Sequence, residues 1–539
     1  MSGSITLENR FGVNKMELIS LKYAIFVIVL LVLYYCFPKK YRWYVLLAGS
    51  MAYYVIICKW YVLFIIFTIC TTYGSTIWID KLLKKQNAIV KSHKEDWDRQ
   101  TRKEYKEKGR KKRVAVMLFA LLCNFGILAF LKYIPYAGEL GLLLPLGISF
   151  YTFQSMGYVM DVYREIVEPE KNFLKVALFV SFFPQIIQGP IEIYDKLAGQ
   201  LYEGHSLRLE NLQKGALLVL WGVMKKLVIA DRAVNIINFV MDKPMDLSGT
   251  YVFFAAVVYA LQLYADFSGG IDIVRGIAEM FGITMSTNFN HPYFSRSLTE
   301  YWHRWHMTLG AWCRNYIFYP LSISKRFLNF GKWLKPRFGA HISKVLPGCI
   351  ASVVTFIVIG VWHGANMKYL YFGLWNGIVI MLAELFAPVN KKVSGGFFKL
   401  TGLREKGIFA TIVSVLWTFM LILVGYYFDI AANASTAFHM LFKSVTDFHI
   451  SELGINNIIL NLGACGLDEY DILLLIICTL LWFFISFIEE NKKLDMRDFI
   501  LSRKLPLRWA IIYLGIFIVI IFGYYGPGVN PADFVYMQF

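Results

Sequence analysis

This 539-residue chain is too apolar for a soluble protein: 57% of its residues are apolar, only 17% are charged, and the mean hydropathy is +0.51. Disordered, collagen-like, coiled-coil and disulfide-stabilised secreted proteins are excluded, because each needs a polarity, a repeat or a cysteine density that this chain lacks. The net charge of +18 does not indicate nucleic-acid binding, since half of it lies in one segment. The sequence therefore predicts an all-α, polytopic membrane protein.

The apolar segments predict about eleven transmembrane helices together with re-entrant or interfacial pieces. A helix needs about 20 apolar residues to cross a bilayer, and several of these segments are shorter or are interrupted by Pro and Gly. No repeat or polar linker divides them, so we expect one membrane domain over residues 1–539. The candidate spans are residues 17–37, 43–58, 61–79, 114–132, 141–160, 172–190, 213–230, 250–270, 345–361, 368–388, 408–428, 471–488 and 508–525.

Clustered charges predict the orientation in the cell membrane. Residues 81–113 carry 14 basic and 5 acidic side chains, so by the positive-inside rule we expect a basic cytoplasmic loop that contacts anionic lipid headgroups. Six basic residues between positions 492 and 508 place the connection before the last span in the cytoplasm as well. The C-terminal tail, residues 526–539, is then expected to be extracellular.

Residues 286–320 are aromatic, basic and rich in histidine, which is too polar for a lipid-facing helix. On a helix, His303 and His306 would share one face, with Trp302 and Trp305 packed beside them. Such a segment is typical of an interfacial helix, of the wall of a cavity, or of both. A metal site built from His291, His303 and His306 is a weaker interpretation, because three histidines can bind zinc but the aromatic spacing already indicates a cavity lining.

A second unusual segment, GVWHGAN at residues 360–366, ends an otherwise apolar run. The burial of an ionisable group such as His363 must be compensated, so its presence in a membrane segment indicates a function. The flanking glycines allow close backbone approach and a break in the helix.

The chain ends in FVYMQF, residues 534–539, whereas most tails are polar. One interpretation is an aromatic anchor at the membrane interface. The other is that the hydroxyl of Tyr536 is a nucleophile inserted into an apolar tunnel.

Taken together, these segments resemble the membrane-bound O-acyltransferase family, in the bacterial branch of the alginate O-acetyltransferase membrane subunit and the D-alanyl-teichoic-acid exporter. One local departure is Gly270-Ile271-Asp272 after DFSG, where relatives often continue Tyr-Ser-Asp. The matching motifs, in the order of the family, are LPLGISFYTFQSMGYVMDVYRE, SFFPQIIQGPI, ALQLYADFSGGIDIVRGIAEMFGI, NFNHPY with EYWHRWHMTLGAWCRNYIFYPL, and GVWHGAN.

The resemblance implies a ring of tilted helices around a central funnel and tunnel, through which an acyl group passes from a cytoplasmic thioester to the outside. It implies that His363 is the catalytic histidine, that His306 is the second histidine of the tunnel, and that Tyr536 carries the acyl group. It also implies an extracellular acyltransferase partner of the SGNH/DltD-like type. Residues expected to line the tunnel or contact substrate are Asn288, Trp302, His303, Arg304, Trp305, Trp362 and Asn366.

The proposed chemistry is also reasonable from the residues alone. A tyrosine hydroxyl has a pKa of about 10 and needs a base, and neutral histidine, with a pKa of about 6.5, is suited to that task. His363 would be this base, and His306 or Asn288 could stabilise the oxyanion.

Three functions remain open from the sequence. The first is O-acetylation of an extracellular or cell-wall polysaccharide, with acetyl-CoA as donor and no bound cofactor. The second is D-alanyl transfer from a carrier protein to teichoic acid. The third is a polysaccharide or lipid transporter, although the paired midplane charges and repeats typical of transporters are not evident.

Overall fold

A computed structural model describes residues 18–134, 138, 141–142, 144–401, 404, 407–454, 457, 465–526 and 534. The chain divides into two compact units, one of Met1–Val219 with Ile271–Ser286 and one of Leu220–Gly270 with Thr287–Phe539. The described residues are almost entirely helical and contain no β-strand. The predicted all-α membrane fold is therefore confirmed.

The helices follow one another closely along the chain. From residue 21 to 280 they are α1 Leu21–Cys36, α2 Arg42–Cys58, α3 Val62–Ser92, α4 Arg99–Tyr133, α5 Ile148–Tyr163, α6 Phe173–Ser181, α7 Phe183–Gln188, α8 Tyr194–Tyr202, α9 Leu209–Met224, α10 Asp231–Asp242 and α11 Gly249–Met280. From residue 298 they are α12 Leu298–Arg304, α13 Met307–Cys313, α14 Tyr319–Ser322, α15 Lys325–His363, α16 Met367–Leu385, α17 Ala387–Thr401, α18 Ile408–Ile430, α19 Ala434–Thr446, α20 Glu469–Lys492, α21 Met496–Leu501 and α22 Leu505–Phe522.

Seven helical stretches in the described part of the chain are long and apolar enough to cross a membrane, or eight if α16 and α17 form one bent span. The sequence predicted about eleven, and the difference has two causes. Predicted spans 43–58 and 61–79 lie in one helical stretch, Lys39–Ser92. Others are short or broken: α1 has only 16 residues, and the helix predicted at 172–190 is interrupted at Phe182, between α6 and α7.

The basic segment 81–113 is not a loop but a helical hairpin. Helix α3 continues to Ser92, and α4 begins at Arg99. The side chain of Asp98 caps α4 by accepting hydrogen bonds from the backbone N–H groups of Gln100 and Thr101. Lys, Arg, Glu and Gln are good helix formers, so charge alone does not interrupt a helix.

Helices α15 and α16 form a tight antiparallel pair. Gly360 lies against the carbonyl oxygen of Tyr369, and Gly373 lies against that of Phe356, so neither position has room for a Cβ atom. Helix α15 ends at His363, directly before Gly364. The predicted close approach and helix break in this segment are therefore confirmed, and they place His363 at the end of a helix whose position is set by backbone contact.

This packing makes a testable prediction about stability. Gly360→Ala should lower the free energy of unfolding by about 1–3 kcal/mol, because the added methyl group overpacks the helix pair. Gly348→Ala is the matched control in the same helix, since no atom lies within 4 Å of the added methyl group. It should be neutral or stabilising by up to about 1 kcal/mol, because alanine favours helix. Thermal midpoints in detergent would measure both, and equal midpoints would contradict the packing argument.

Candidate active site

A cavity in the second unit brings two separate sequence motifs together. His306 comes from the aromatic segment 286–320 and His363 comes from the GVWHGAN segment, and both line the cavity. The other lining residues are mostly apolar or aromatic: Leu263, Tyr301, Trp302, Trp305, Leu309, Gly310, Ile359, Phe372, Tyr426 and Asp429.

His306 lies at a break between two short helices. Helix α12 ends at Arg304, Trp305 is extended, and His306 has φ = +43° before α13 begins. The prediction that His303 and His306 share one helix face is therefore wrong. The break is held by backbone hydrogen bonds, from Asn290 N to Arg304 O at 3.0 Å and from Met307 N to Asn288 O at 2.9 Å.

The hydrogen bonds of Asn288 determine the tautomer of His306. The Asn288 Oδ1 atom accepts a hydrogen bond from the backbone N–H of Thr308 at 3.1 Å and from the Thr308 hydroxyl at 2.9 Å. An atom that accepts from a backbone N–H must be the amide oxygen, so the His306 Nδ1 atom 3.1 Å away is the donor. The lone pair of neutral His306 is therefore on Nε2, which can accept a proton or a hydrogen bond.

His306 is buried and also packs against an aromatic ring. The edge of its ring meets the ring of Phe267 with centroids 4.9 Å apart. It lies outside the helices that could span a membrane, and burial together with the nearby His363 lowers its pKa to about 3. His306 is therefore neutral at physiological pH.

His363 is the last residue of α15 and is half-buried among aromatic rings. Its ring stacks with Tyr369 at 5.9 Å and meets Phe372 edge-on at 5.6 Å. The buried Trp362 packs beside it with ring centroids 4.9 Å apart. These rings restrict the orientation of the imidazole at the cavity wall.

The tyrosines beside the cavity form a directed chain of hydrogen bonds. Tyr293 donates its hydroxyl proton to the carbonyl oxygen of Ala260 at 2.6 Å. Its oxygen must therefore accept from Tyr426, 3.1 Å away, and Tyr426 must accept from Tyr301 at 2.7 Å. Both lining tyrosines, Tyr301 and Tyr426, thus donate their hydroxyl protons to other tyrosine oxygens of the protein.

Asp429 is a lining residue that the sequence reasoning missed. Its Oδ2 atom accepts a hydrogen bond from the hydroxyl of Tyr259 at 2.7 Å. The ammonium of Lys368 donates to the carbonyl oxygens of Asp429 and Ala431 at 2.8 and 2.7 Å, so a positive charge lies next to the carboxylate. The sequence could have indicated it, because Asp429 is the one charged residue in the apolar run of α18.

The other predicted residues described by the structure lie in three kinds of position. Trp302 and Trp305 line the cavity. Asn288 is fully buried behind His306 and orients it. His303 is exposed, and Arg304 pairs with Glu300 and Glu490 rather than with a cavity group.

Asn366 and Trp362 are not among the residues that line the described cavity wall. Asn366 caps helix α16 by accepting a hydrogen bond from the backbone N–H of Lys368 at 3.0 Å. Tyr536 lies outside the described residues, although Phe534 of the same motif is described and buried. In the part of the chain that the structure describes, no three His, Cys, Asp or Glu side chains are grouped to bind a metal ion.

Residues 169–335 match the model of the membrane-bound O-acyltransferase family. Over this segment the chain is therefore similar to the membrane-bound O-acyltransferase family. The family resemblance drawn from the motifs is thus confirmed. The matched region includes Asn288 and His306 and ends before His363.

Several relatives of this chain have names that describe acyl transfer. The protein named "probable alginate O-acetylase AlgI" in Pseudomonas syringae pv. tomato is 30% identical over 313 residues, covering 58% of this chain and 54% of the relative. A peptidoglycan O-acetyltransferase of Helicobacter pylori is 30% identical over 314 residues, covering 51% and 56%. A teichoic acid D-alanyltransferase of Bacillus subtilis is 26% identical over 288 residues, covering 52% and 67%. The chain thus spans a little more than half the length of the first two relatives.

Proposed function

We propose that this protein is a membrane O-acyltransferase that moves an acetyl group from a cytoplasmic thioester, acetyl-CoA, to Tyr536. From Tyr536 an extracellular SGNH/DltD-like partner would pass the group to a hydroxyl of an extracellular or cell-wall polysaccharide. The family domain and the names of the relatives support acyl transfer in general. The positive-inside rule supports an extracellular position for the tail that contains Tyr536.

The observation that carries this proposal is the pair of imidazoles on one aromatic cavity. His306 and His363 come from motifs more than 50 residues apart, yet both line the same space. An apolar cavity that contains proton acceptors is suited to activating a hydroxyl nucleophile, because electrostatic interactions are strong where water is excluded. A transporter would not require this arrangement.

The reaction follows from the chemistry of these groups. The Tyr536 oxygen attacks the thioester carbonyl carbon while His363 accepts the hydroxyl proton. As the carbon–sulfur bond breaks, His363 returns this proton to the sulfur, so the products are a tyrosyl ester and a free thiol. The Nε2 lone pair of His306 would accept a hydrogen bond from the reacting hydroxyl or the departing thiol. In this tautomer His306 is not a donor to the oxyanion, and Asn288 acts by orienting it.

The electrostatics of the cavity favour an acetyl group over a D-alanyl group. A D-alanyl group carries an ammonium, whose burial requires an opposite charge. Asp429 is the one carboxylate on the described cavity wall, and the ammonium of Lys368 already lies beside it. D-alanyl transfer is the second candidate function, because one relative is named a teichoic acid D-alanyltransferase.

Mass spectrometry of the C-terminal peptide would test the proposal. Purified protein incubated with acetyl-CoA should gain one acetyl group on Tyr536, and Tyr536→Phe should gain none, since it lacks the nucleophilic oxygen. Tyr525→Phe is the matched control, because Tyr525 is an exposed tyrosine outside the terminal motif, and it should be acetylated like the wild type. If Tyr536 gained a D-alanyl group from a D-alanyl carrier protein but no acetyl group from acetyl-CoA, the transferred group would be D-alanyl rather than acetyl. No adduct with either donor would contradict the function.

A further inference from the structure

A buried lysine in the second unit has no role in the chemistry proposed above. Lys226 is only 3% exposed and lies in a π-helix, Lys225–Ala230, that follows α9. A lysine ammonium buried in this way requires close negative charge. Lys226 has it, because its ammonium lies 2.8 Å from a carboxylate oxygen of Asp231 and 2.7 Å from one of Asp266. Both carboxylates are almost completely buried.

The π-helix is the reason that Lys226 and Asp231 meet. Residues five apart in an α-helix point about 140° away from each other, because successive residues turn by about 100°. In the wider π-helix, the backbone N–H of residue i+5 donates a hydrogen bond to the carbonyl oxygen of residue i. Here the Asp231 N–H donates to the Lys226 carbonyl oxygen. The same geometry brings the two side chains together. We call Lys226, Asp231 and Asp266 the Lys226 site.

An aromatic residue of the terminal motif covers this site. The ring centroid of Phe534 lies 4.5 Å from the Lys226 ammonium, and Phe534 is only 5% exposed. A cation over a ring face is attracted by the quadrupole of the ring, and the attraction grows when water is excluded. The preceding chain is also held here, since Tyr524 N donates to the carbonyl oxygen of Leu227 at 2.9 Å.

The Lys226 site is adjacent to the cavity. Asp266 lies on α11 next to Phe267, whose ring contacts His306. Leu263, one turn earlier on the same helix, lines the cavity. Asp266, which pairs with Lys226, is therefore one position along the chain from Phe267, which packs against His306.

We propose that the Lys226 site is a binding site for Phe534 that positions the terminal motif for acyl transfer. The positioning role rests on the proposed function. Tyr536 is two residues beyond Phe534, so an extended chain carries it at most about 7 Å further. Lys226 is a positioning residue: it holds the chain, and the reacting atoms belong to other residues.

Substitutions at Phe534 test the proposal without disturbing the buried charges. Phe534→Leu keeps an apolar side chain but removes the ring, whereas Phe534→Tyr keeps the ring and is the matched control. We expect Phe534→Leu to raise amide hydrogen exchange in the C-terminal peptide, and to slow acetylation of Tyr536, each by about tenfold. Phe534→Tyr should remain within about threefold of the wild type in both measurements.

The two readouts separate this inference from the function on which it rests. Exchange reports the position of the chain, and the adduct reports the transfer. Equal exchange in the wild type and in Phe534→Leu would overturn the binding site for Phe534. Slower acetylation in Phe534→Leu without faster exchange would overturn the positioning role. A wild type that forms no adduct would count against the proposed function alone.

Discussion

His363→Ala is expected to slow acetylation of Tyr536 by about two to four orders of magnitude, which is the usual contribution of a general base. The imidazole is the group that accepts the hydroxyl proton, and alanine offers no replacement. The end of α15 and the rings of Tyr369 and Phe372 set the position of His363, so the imidazole is held at the cavity wall for this role. Single-turnover acetylation, followed by mass spectrometry of the C-terminal peptide, would measure the loss.

The matched control is His439→Ala. His439 is an exposed histidine of α19 and does not line the cavity, so its removal should leave the rate within about twofold, as expected for a surface substitution. Thermal unfolding of both variants would show whether the fold is retained. A folded His363→Ala protein with a nearly normal rate would refute the assignment of the base.

His306→Ala and His303→Ala are expected to differ strongly, although the two histidines are only three residues apart. His306→Ala should slow acetylation about 100-fold or more, because it removes the second imidazole from the cavity. His303→Ala should change the rate by less than about threefold, because His303 is exposed and does not line the cavity. The same single-turnover measurement compares the two variants.

Asn288→Ala adds a second test of the role of His306. This variant keeps the imidazole of His306 but removes the Asn288 oxygen that accepts the hydrogen bond from its Nδ1–H group. We expect acetylation to slow by about tenfold to 100-fold, as for other groups that orient a functional histidine. Similar losses in His303→Ala and His306→Ala would contradict the helix break at Trp305. Such a result would favour the single amphipathic helix that the sequence suggested.

Much of the fold could be predicted from local patterns. Apolar runs indicated the long spans α15, α18, α20 and α22, because burial in lipid requires a long continuous apolar helix. The same patterns misjudged short and broken segments. Hydropathy cannot distinguish a helix that crosses the membrane from an apolar segment that is broken into short helices such as α7, which has only six residues.

Parts of the site could also be predicted. His363 was identifiable from the sequence because an ionisable residue in an apolar run is costly, and its glycine neighbours indicated close packing. By the same argument Asp429 could have been found. The Lys226 site could not, because its pairing depends on a π-helix and on Phe534, more than 300 residues away in the chain.

The sequence by itself determined the membrane class, the family motifs and the types of reactive group, since these depend on composition and local spacing. Only the tertiary structure decided which groups meet. Helical periodicity paired His303 with His306, whereas the backbone hydrogen bonds of Asn288 and Asn290 interrupt that helix and turn His306 into the cavity. The cost of burying an imidazole, a carboxylate or an ammonium is offset by specific partners, and hydrogen bonding between residues distant in the chain selects those partners.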